Sequence, residues 1–352
     1  MKKIYFPGLN GIRAIACMMV FAGHFNTSFS IRTGTAGESM LANGVTCFFT
    51  LSGFLITSLL LNEKRSTGKI NLPNFYLRRI LRIWPLYFLI LVIGWFALPY
   101  VQVPGEQTSY FLFYLFFLGN FAFNMTHCIW IVNPLWSVAV EEQFYAFWPL
   151  IVEKRRVLLA CLTFLGTFLL VKVVAKYSGG DGLYYLLNLT RFDCMAIGGV
   201  IACLNFRQSR VLKPLLHPVA QWLAWGLFVL WFFRPLRVFS FIDNETFAIL
   251  AGVLILNVSS NPRTVLTLEN PVLNYLGKIS YGLYAYNMPV LYLWHYFIPV
   301  QTMEQLPLWN FTLPFIVLGV NVFVAHCSYH YYEKWFLKVK TRFGHVSGPA
   351  AA

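Results

Sequence analysis

The chain has 352 residues, of which 58% are hydrophobic and only 11% charged, against roughly 45–50% apolar and about 25% charged residues in soluble domains. With a mean hydropathy of +0.61 and 34 Phe, 19 Tyr and 11 Trp, it has too little polar surface for a water-soluble globule. The bilayer must solvate much of it, which excludes soluble enzymes, disordered chains and disulfide-rich miniproteins together.

Ten apolar runs of crossing length follow one another: residues 10–30, 41–62, 83–101, 135–151, 157–175, 183–205, 218–233, 246–260, 272–298 and 311–333. The first is interrupted by Arg13 and His24, so it reads as a retained span and not a cleavable leader. One further run, Tyr110 to Phe123, is only 14 residues long, the length of a re-entrant or interfacial segment. Charge parity arbitrates. If that run does not cross and the N-terminus is cytoplasmic, 21 of the 27 Lys+Arg fall on cytoplasmic segments; if it crosses, they divide evenly. The positive-inside rule therefore favours an all-α, polytopic membrane helix bundle of about ten transmembrane helices, with a short re-entrant or interfacial segment near 110–123 and both termini cytoplasmic. On this reading the net charge of +14 orients loops and does not mark a nucleic-acid surface, because no basic, aromatic-interleaved domain stands outside the apolar runs. No internal repeat is visible, which argues against a transporter built from inverted repeats. The seven cysteines are an odd number without C-x-x-C spacing and read as small membrane hydrophobes.

Ionisable residues inside spans are costly and mark candidate sites. Arg13 and His24 are 11 residues apart, three turns plus about 20°, so they share a helix face roughly 16 Å apart; the alternative for His24 is a lone buried histidine satisfied by a neighbour. Ser52 and Gly53 permit close helix approach, and that packing role is the expected one, since no nucleophile elbow surrounds Ser52. Arg79 and Arg82 are i,i+3 at a helix start with Arg78 adjacent; their forks suit phosphates, while an orientation signal among lipid headgroups explains them equally well. Glu141 and Glu142 point about 100° apart on one helix, so one is expected to meet a His or Arg and the other to form a hydrogen bond. Arg191 and Asp193 lie within one span, either as a pair facing a lumen or as separate ligand contacts. Ser280, Tyr281, Tyr284 and Asn287 cluster at helical spacing. His326 and His330 have i,i+4 spacing but no third ligand, so no metal is expected.

In order along the chain, Gly8-Leu-Asn-Gly-Ile-Arg-Ala-Ile-Ala with His24, Phe48-Phe-Thr-Leu-Ser-Gly-Phe-Leu-Ile56, Arg79-Ile-Leu-Arg82 with Pro85, Trp136-Ser-Val-Ala-Val-Glu-Glu-Gln-Phe-Tyr145, Thr190-Arg-Phe-Asp with Gly198, Ile279-Ser-Tyr-Gly-Leu-Tyr284, and Ser328-Tyr with Glu333-Lys334 resemble the acyltransferase-3 family of integral membrane acyltransferases. The resemblance covers residues 6–336, and 337–352 are expected to form a short, basic, disordered cytoplasmic tail. It implies a multi-pass enzyme of the cytoplasmic (inner) membrane that moves an acyl group, most often acetyl, from cytoplasmic acetyl-CoA to a sugar hydroxyl of a lipid-linked or extracytoplasmic glycan. Membrane lipids and glycan-assembly proteins are the other implied partners. Carried over by position, His24 is the catalytic histidine, Arg13 its partner and Glu142 a buried catalytic acid; Arg79 and Arg82, with Arg78, hold the CoA. Glu141, Arg191, Asp193, Tyr281 and Asn287 are then assigned to substrate. The chain departs from the family in carrying Thr46 where many members have Asp, and Asn287 where many have His. No fused extracytoplasmic domain is expected after the last span. A lipid-linked glycan transporter or flippase is the alternative from another class, and a scaffold subunit a third.

Overall fold

A computed structural model describes residues 5–28, 35–97, 107–125, 130–233, 241–297 and 307–343. Among the described residues every regular element is helical. In chain order they are α1 (Leu9–Ser28), α2 (Thr35–Thr67), α3 (Leu72–Ala97), α4 (Gln107–Leu115), α5 (Gly119–Asn124), α6 (Leu135–Val152), α7 (Val157–Tyr177), α8 (Asp181–Thr190), α9 (Phe192–Phe206), α10 (Pro218–Phe233), α11 (Asp243–Ser260), α12 (Pro271–Lys278), α13 (Ser280–Phe297), α14 (Pro307–Ser328) and α15 (Lys334–Lys340).

Among the described residues five helical stretches are long and apolar enough to cross a membrane: Leu41–Thr67, Leu72–Phe96, Val157–Tyr177, Asp181–Phe206 and Thr312–Lys340. Pro218–Trp231 is apolar but shorter. The other expected spans also coincide with helices, α1, α6, α11 and α13. The short run near 110–123 forms two helices of 9 and 6 residues, α4 and α5, separated at Phe117, whose φ of 57° breaks the helical path.

Three expectations about boundaries change. The span expected over 183–205 divides at Arg191, whose left-handed backbone (φ 47°) ends α8 and starts α9. The stretch 272–298 divides at Ile279 into α12, which Asn270 caps by accepting from the Leu273 amide at 2.8 Å, and α13. The last apolar run does not stop before a disordered tail. A π-helical turn at Tyr329–Glu333 leads into α15 and a 3₁₀ turn at Thr341–Phe343, so the tail expected over 337–352 begins in helix; 344–352 lie outside the described residues. Of the seven cysteines, Cys128 also lies outside them, and the other six are free thiols, five of them buried.

Helix α2 is the centre of the bundle: 83% of its most apolar window is buried, against 17% for α7. It meets α9 through glycine on both sides. A Cβ on Gly53 would lie 1.9 Å from the Met195 carbonyl oxygen, and one on Gly198 would lie 2.0 Å from that of Thr50. The backbones therefore touch where any side chain would part them. We predict that Gly198→Ala lowers stability by roughly 1–3 kcal/mol, the range for overpacking, whereas Gly226→Ala on α10, with open space around it, loses none. Thermal midpoints in detergent measure both.

Candidate functional site

A cavity of about 100 Å³ lies between α1, α2, α3, α6 and α13. Three arginines line it: Arg13 from α1, and Arg79 and Arg82 from α3. The i,i+3 spacing aims both α3 arginines the same way. Arg79 is buried, its guanidinium 5.7 Å from the Phe75 ring and 5.8 Å from the Tyr145 ring, and its Nε has no hydrogen-bond partner. A buried, unsatisfied donor on a cation is a group waiting for an acceptor. Arg13 donates to Asn10 Oδ1 at 3.0 Å, one turn earlier on its own helix side.

Facing the arginines, Glu141 of α6 lines the cavity. Ser52 Oγ donates to its Oε1 at 2.8 Å and Tyr145 Oη to its Oε2 at 3.0 Å. Two donors from two helices fix this carboxylate in one orientation. Tyr145 is i+4 from Glu141, a neighbour that helical spacing supplies, but nothing in the spacing of the chain marks Ser52 as its second donor. Gly53 takes the packing role expected of that pair, and Ser52, about 100° around α2, faces the cavity. Glu142 diverges as adjacent helical residues must: Trp84 Nε1 donates to its Oε2 at 3.0 Å, while its Oε1 is buried without a partner. Among the described residues neither glutamate forms an ion pair.

Arg78 is placed apart from its neighbours. Its guanidinium pairs with Glu63 at 2.9 Å and donates to the Phe343 carbonyl at 2.9 Å, tying α3 to α2 and to the C-terminal turn. Arg191 likewise donates to the Ala42 carbonyl and to Thr46 Oγ1, both at 2.8 Å, and stabilises the break it sits in. Thr46 thus supplies a neutral acceptor to a buried arginine. Asp193 is paired with Lys172 of α7 at 3.4 Å, and the same ammonium donates to Glu245 of α11. Lys172, inside the expected span 157–175 and not among the candidate residues of the sequence, is almost fully buried in a three-helix charge cluster. Its position inside an apolar run was the available signal; Glu245 carried none.

His24 is buried but is not among the side chains lining the cavity. Ser280, Tyr281 and Tyr284 line the cavity; Tyr281 Oη donates to the Ile83 carbonyl at 2.8 Å, and Tyr284 Oη is 2.6 Å from Ser137 Oγ. Cys17 Sγ on α1 donates to the Ser280 carbonyl at 3.7 Å. Seven residues beyond each partner of that contact stand His24 and Asn287, and seven residues return to nearly the same helix face about 10 Å further on. Asn287 is 1% exposed and its Oδ1 has no partner; Asn133 Oδ1 and Trp294 Nε1 are buried and unpartnered as well. His326, whose Nδ1 meets Tyr275 Oη, and His330 lie with ring centroids 4.5 Å apart and planes tilted by 38°, and no group of three metal-binding side chains occurs among the described residues.

Comparison with known proteins supplies the family. The family described as "Acyltransferase domain" matches residues 6–328. YrhL of Bacillus subtilis (strain 168), provisionally named a peptidoglycan O-acetyltransferase, is 28% identical over 361 residues, covering 94% of this chain and 54% of its own. A Staphylococcus aureus (strain COL) protein, provisionally named an O-acetyltransferase, is 28% identical over 371 residues, 96% of this chain and 58% of its own. The peptidoglycan O-acetyltransferase OatA of Listeria monocytogenes is 25% identical over 365 residues, 94% of this chain and 56% of its own. The chain therefore spans a little over half the length of these curated relatives. No solved structure matches it.

The two kinds of arginine separate experimentally. Arg78→Ala leaves Glu63 buried without its cation and is expected to lower stability by roughly 3 kcal/mol. Arg79→Ala relieves the mutual repulsion of three cations and is expected to leave the unfolding free energy within about 1 kcal/mol of the parent, as chemical denaturation in detergent measures.

Proposed function

Because the chain belongs to the acyltransferase domain family, we propose that it is a membrane O-acetyltransferase that carries acetyl from cytoplasmic acetyl-CoA to a sugar hydroxyl of a lipid-linked or extracytoplasmic glycan. The observation that carries the reading is the cavity itself, where three arginines surround a space lined by one carboxylate, and that carboxylate already accepts from Ser52 and Tyr145. Positive charge is in surplus where an anion of several charges would be held. Arg79 and Arg82 take the CoA phosphates, bidentately where geometry allows, and Arg13 guides the pantetheine arm along α1 toward His24. The names of the peptidoglycan O-acetyltransferases among the relatives support a glycan acceptor.

In the reaction the acceptor hydroxyl oxygen attacks the thioester carbonyl carbon, the carbon–sulfur bond breaks and CoA leaves as the thiol. His24 takes the hydroxyl proton as general base and returns it to the departing sulfur. In the covalent variant its ring nitrogen attacks the thioester carbon first, the carbon–sulfur bond breaks and CoA leaves as the thiol with the ring proton; the sugar oxygen then attacks the acetyl–imidazole carbon, the carbon–nitrogen bond breaks and the hydroxyl proton returns to the ring. The unpartnered side-chain oxygens of Asn133 and Asn287 and the indole N–H of Trp294 support a hydroxyl-bearing acceptor, since such ligands need both donors and acceptors. Ten crossings with both termini cytoplasmic, the inner membrane as location and Glu142 as a catalytic acid belong to the same proposal.

His24→Ala is expected to lower transfer at least 100-fold, the scale of general acid–base catalysis, with the protein still folded; acetylation of the glycan at the parental rate contradicts the assignment. Arg79→Gln with Arg82→Gln is expected to raise the KM for acetyl-CoA at least tenfold with little change in the KM for acceptor. Rapid-quench mass spectrometry distinguishes the two histidine routes, since only the covalent one leaves an acetyl group on His24.

A further inference from the structure

A second cavity, of about 250 Å³, opens where the end of α2, the α6–α7 turn and the end of α9 meet. It is not an extension of the first. Leu61, in its wall, is nine residues beyond Ser52 in the wall of the other, and nine residues turn half-way around a helix, so the two cavities flank opposite faces of α2.

Among the described residues four cations line it, Lys64, Arg65, Arg155 and Arg207, and no carboxylate does. Lys64 is engaged: its ammonium donates to the carbonyls of Val152, Glu153 and Lys154 at 3.2, 2.8 and 3.0 Å and closes the end of α6. Arg65 lies over the Phe206 ring at 5.7 Å. Among the described residues Arg65, Arg155 and Arg207 form no ion pair, so three arginine forks share one rim without a counterion. The floor is apolar, with Leu61 and Val157 buried. Val157 begins α7, a membrane-length helix that turns Leu159, Leu162 and Leu170 outward and is little buried by the bundle.

A multiply basic rim over an apolar floor, at the foot of a helix whose surface faces acyl chains, matches a ligand with an anionic head and a hydrocarbon tail. We propose that this cavity holds the phosphodiester headgroup of an anionic phospholipid, with Arg65, Arg155 and Arg207 contacting the phosphate and an acyl chain lying along α7. Free phosphate and CoA share the phosphate chemistry but lack a chain for that apolar surface.

The test is native mass spectrometry of the full chain released from nanodiscs of mixed phosphatidylglycerol and phosphatidylcholine. The triple variant Arg65→Gln, Arg155→Gln, Arg207→Gln is expected to retain at least tenfold less phosphatidylglycerol than the parent. A charge-matched control, Arg156→Gln, Arg210→Gln, Lys213→Gln, removes exposed or half-buried cations of the neighbouring segments that do not line the cavity and is expected to retain it. Arg155→Gln alone, at an exposed turn residue, is expected to lose at least threefold, which keeps the test open if the triple variant does not fold. Equal retention by parent and cavity variants overturns the proposal. So does equal loss from the control, which marks general surface charge, or displacement by millimolar inorganic phosphate or CoA, which marks a soluble-anion site.

Discussion

The close approach of α2 to α9 is the constraint on which the rest depends. Gly53 against the Met195 backbone and Gly198 against that of Thr50 let two helices touch without side chains between them, and this buries α2 at the bundle axis. Fixing one face of α2 fixes the next. Ser52, adjacent to the contact, is thereby turned to Glu141, while Thr46, two turns away, receives Arg191. A residue wider than glycine at the crossing would displace the donor that orients Glu141, the one carboxylate lining the cavity among the described residues.

Buried charge is then divided between two tasks. Arg78–Glu63 and the Lys172–Asp193–Glu245 cluster join helices through direct pairs. Such pairs add little net stability compared with apolar packing, but losing one partner is strongly destabilising, so they act as registers between helices. Arg13, Arg79 and Arg82 are instead gathered around space, and like charges brought together with one carboxylate are costly until an anion arrives. That contrast between paired and unpaired charge is the ground for proposing Arg13, Arg79 and Arg82, and not Arg78, as ligand contacts.

Much of this was legible in the sequence and some was not, for geometric reasons. Apolar length located the helices, and i,i+3 spacing put Arg79 and Arg82 on one face. The 100° divergence between adjacent residues separated Glu141 from Glu142. What one helix cannot reveal is its partner. Arg191 looked like an intramembrane charge within a continuous span because its left-handed φ leaves no mark on hydropathy. Lys172 is not marked as a site by its own helix because its two carboxylates come from helices 21 and 73 residues further along. Arg78 was grouped with the arginines beside it until its rotation toward Glu63 set it apart.

What emerges is a bundle with three arginines gathered around a cavity and His24 about 16 Å further along α1 from Arg13. The central claim is that this axis seats an acyl-CoA. The most direct measurement is an experimental structure of the protein in a lipid nanodisc with a non-hydrolysable acetyl-CoA analogue. The account predicts phosphate density within hydrogen-bond distance of Arg79 and Arg82 and the acyl end beside His24. Nucleotide density instead at Arg65, Arg155 and Arg207, or an acyl end pointing away from His24, would contradict it.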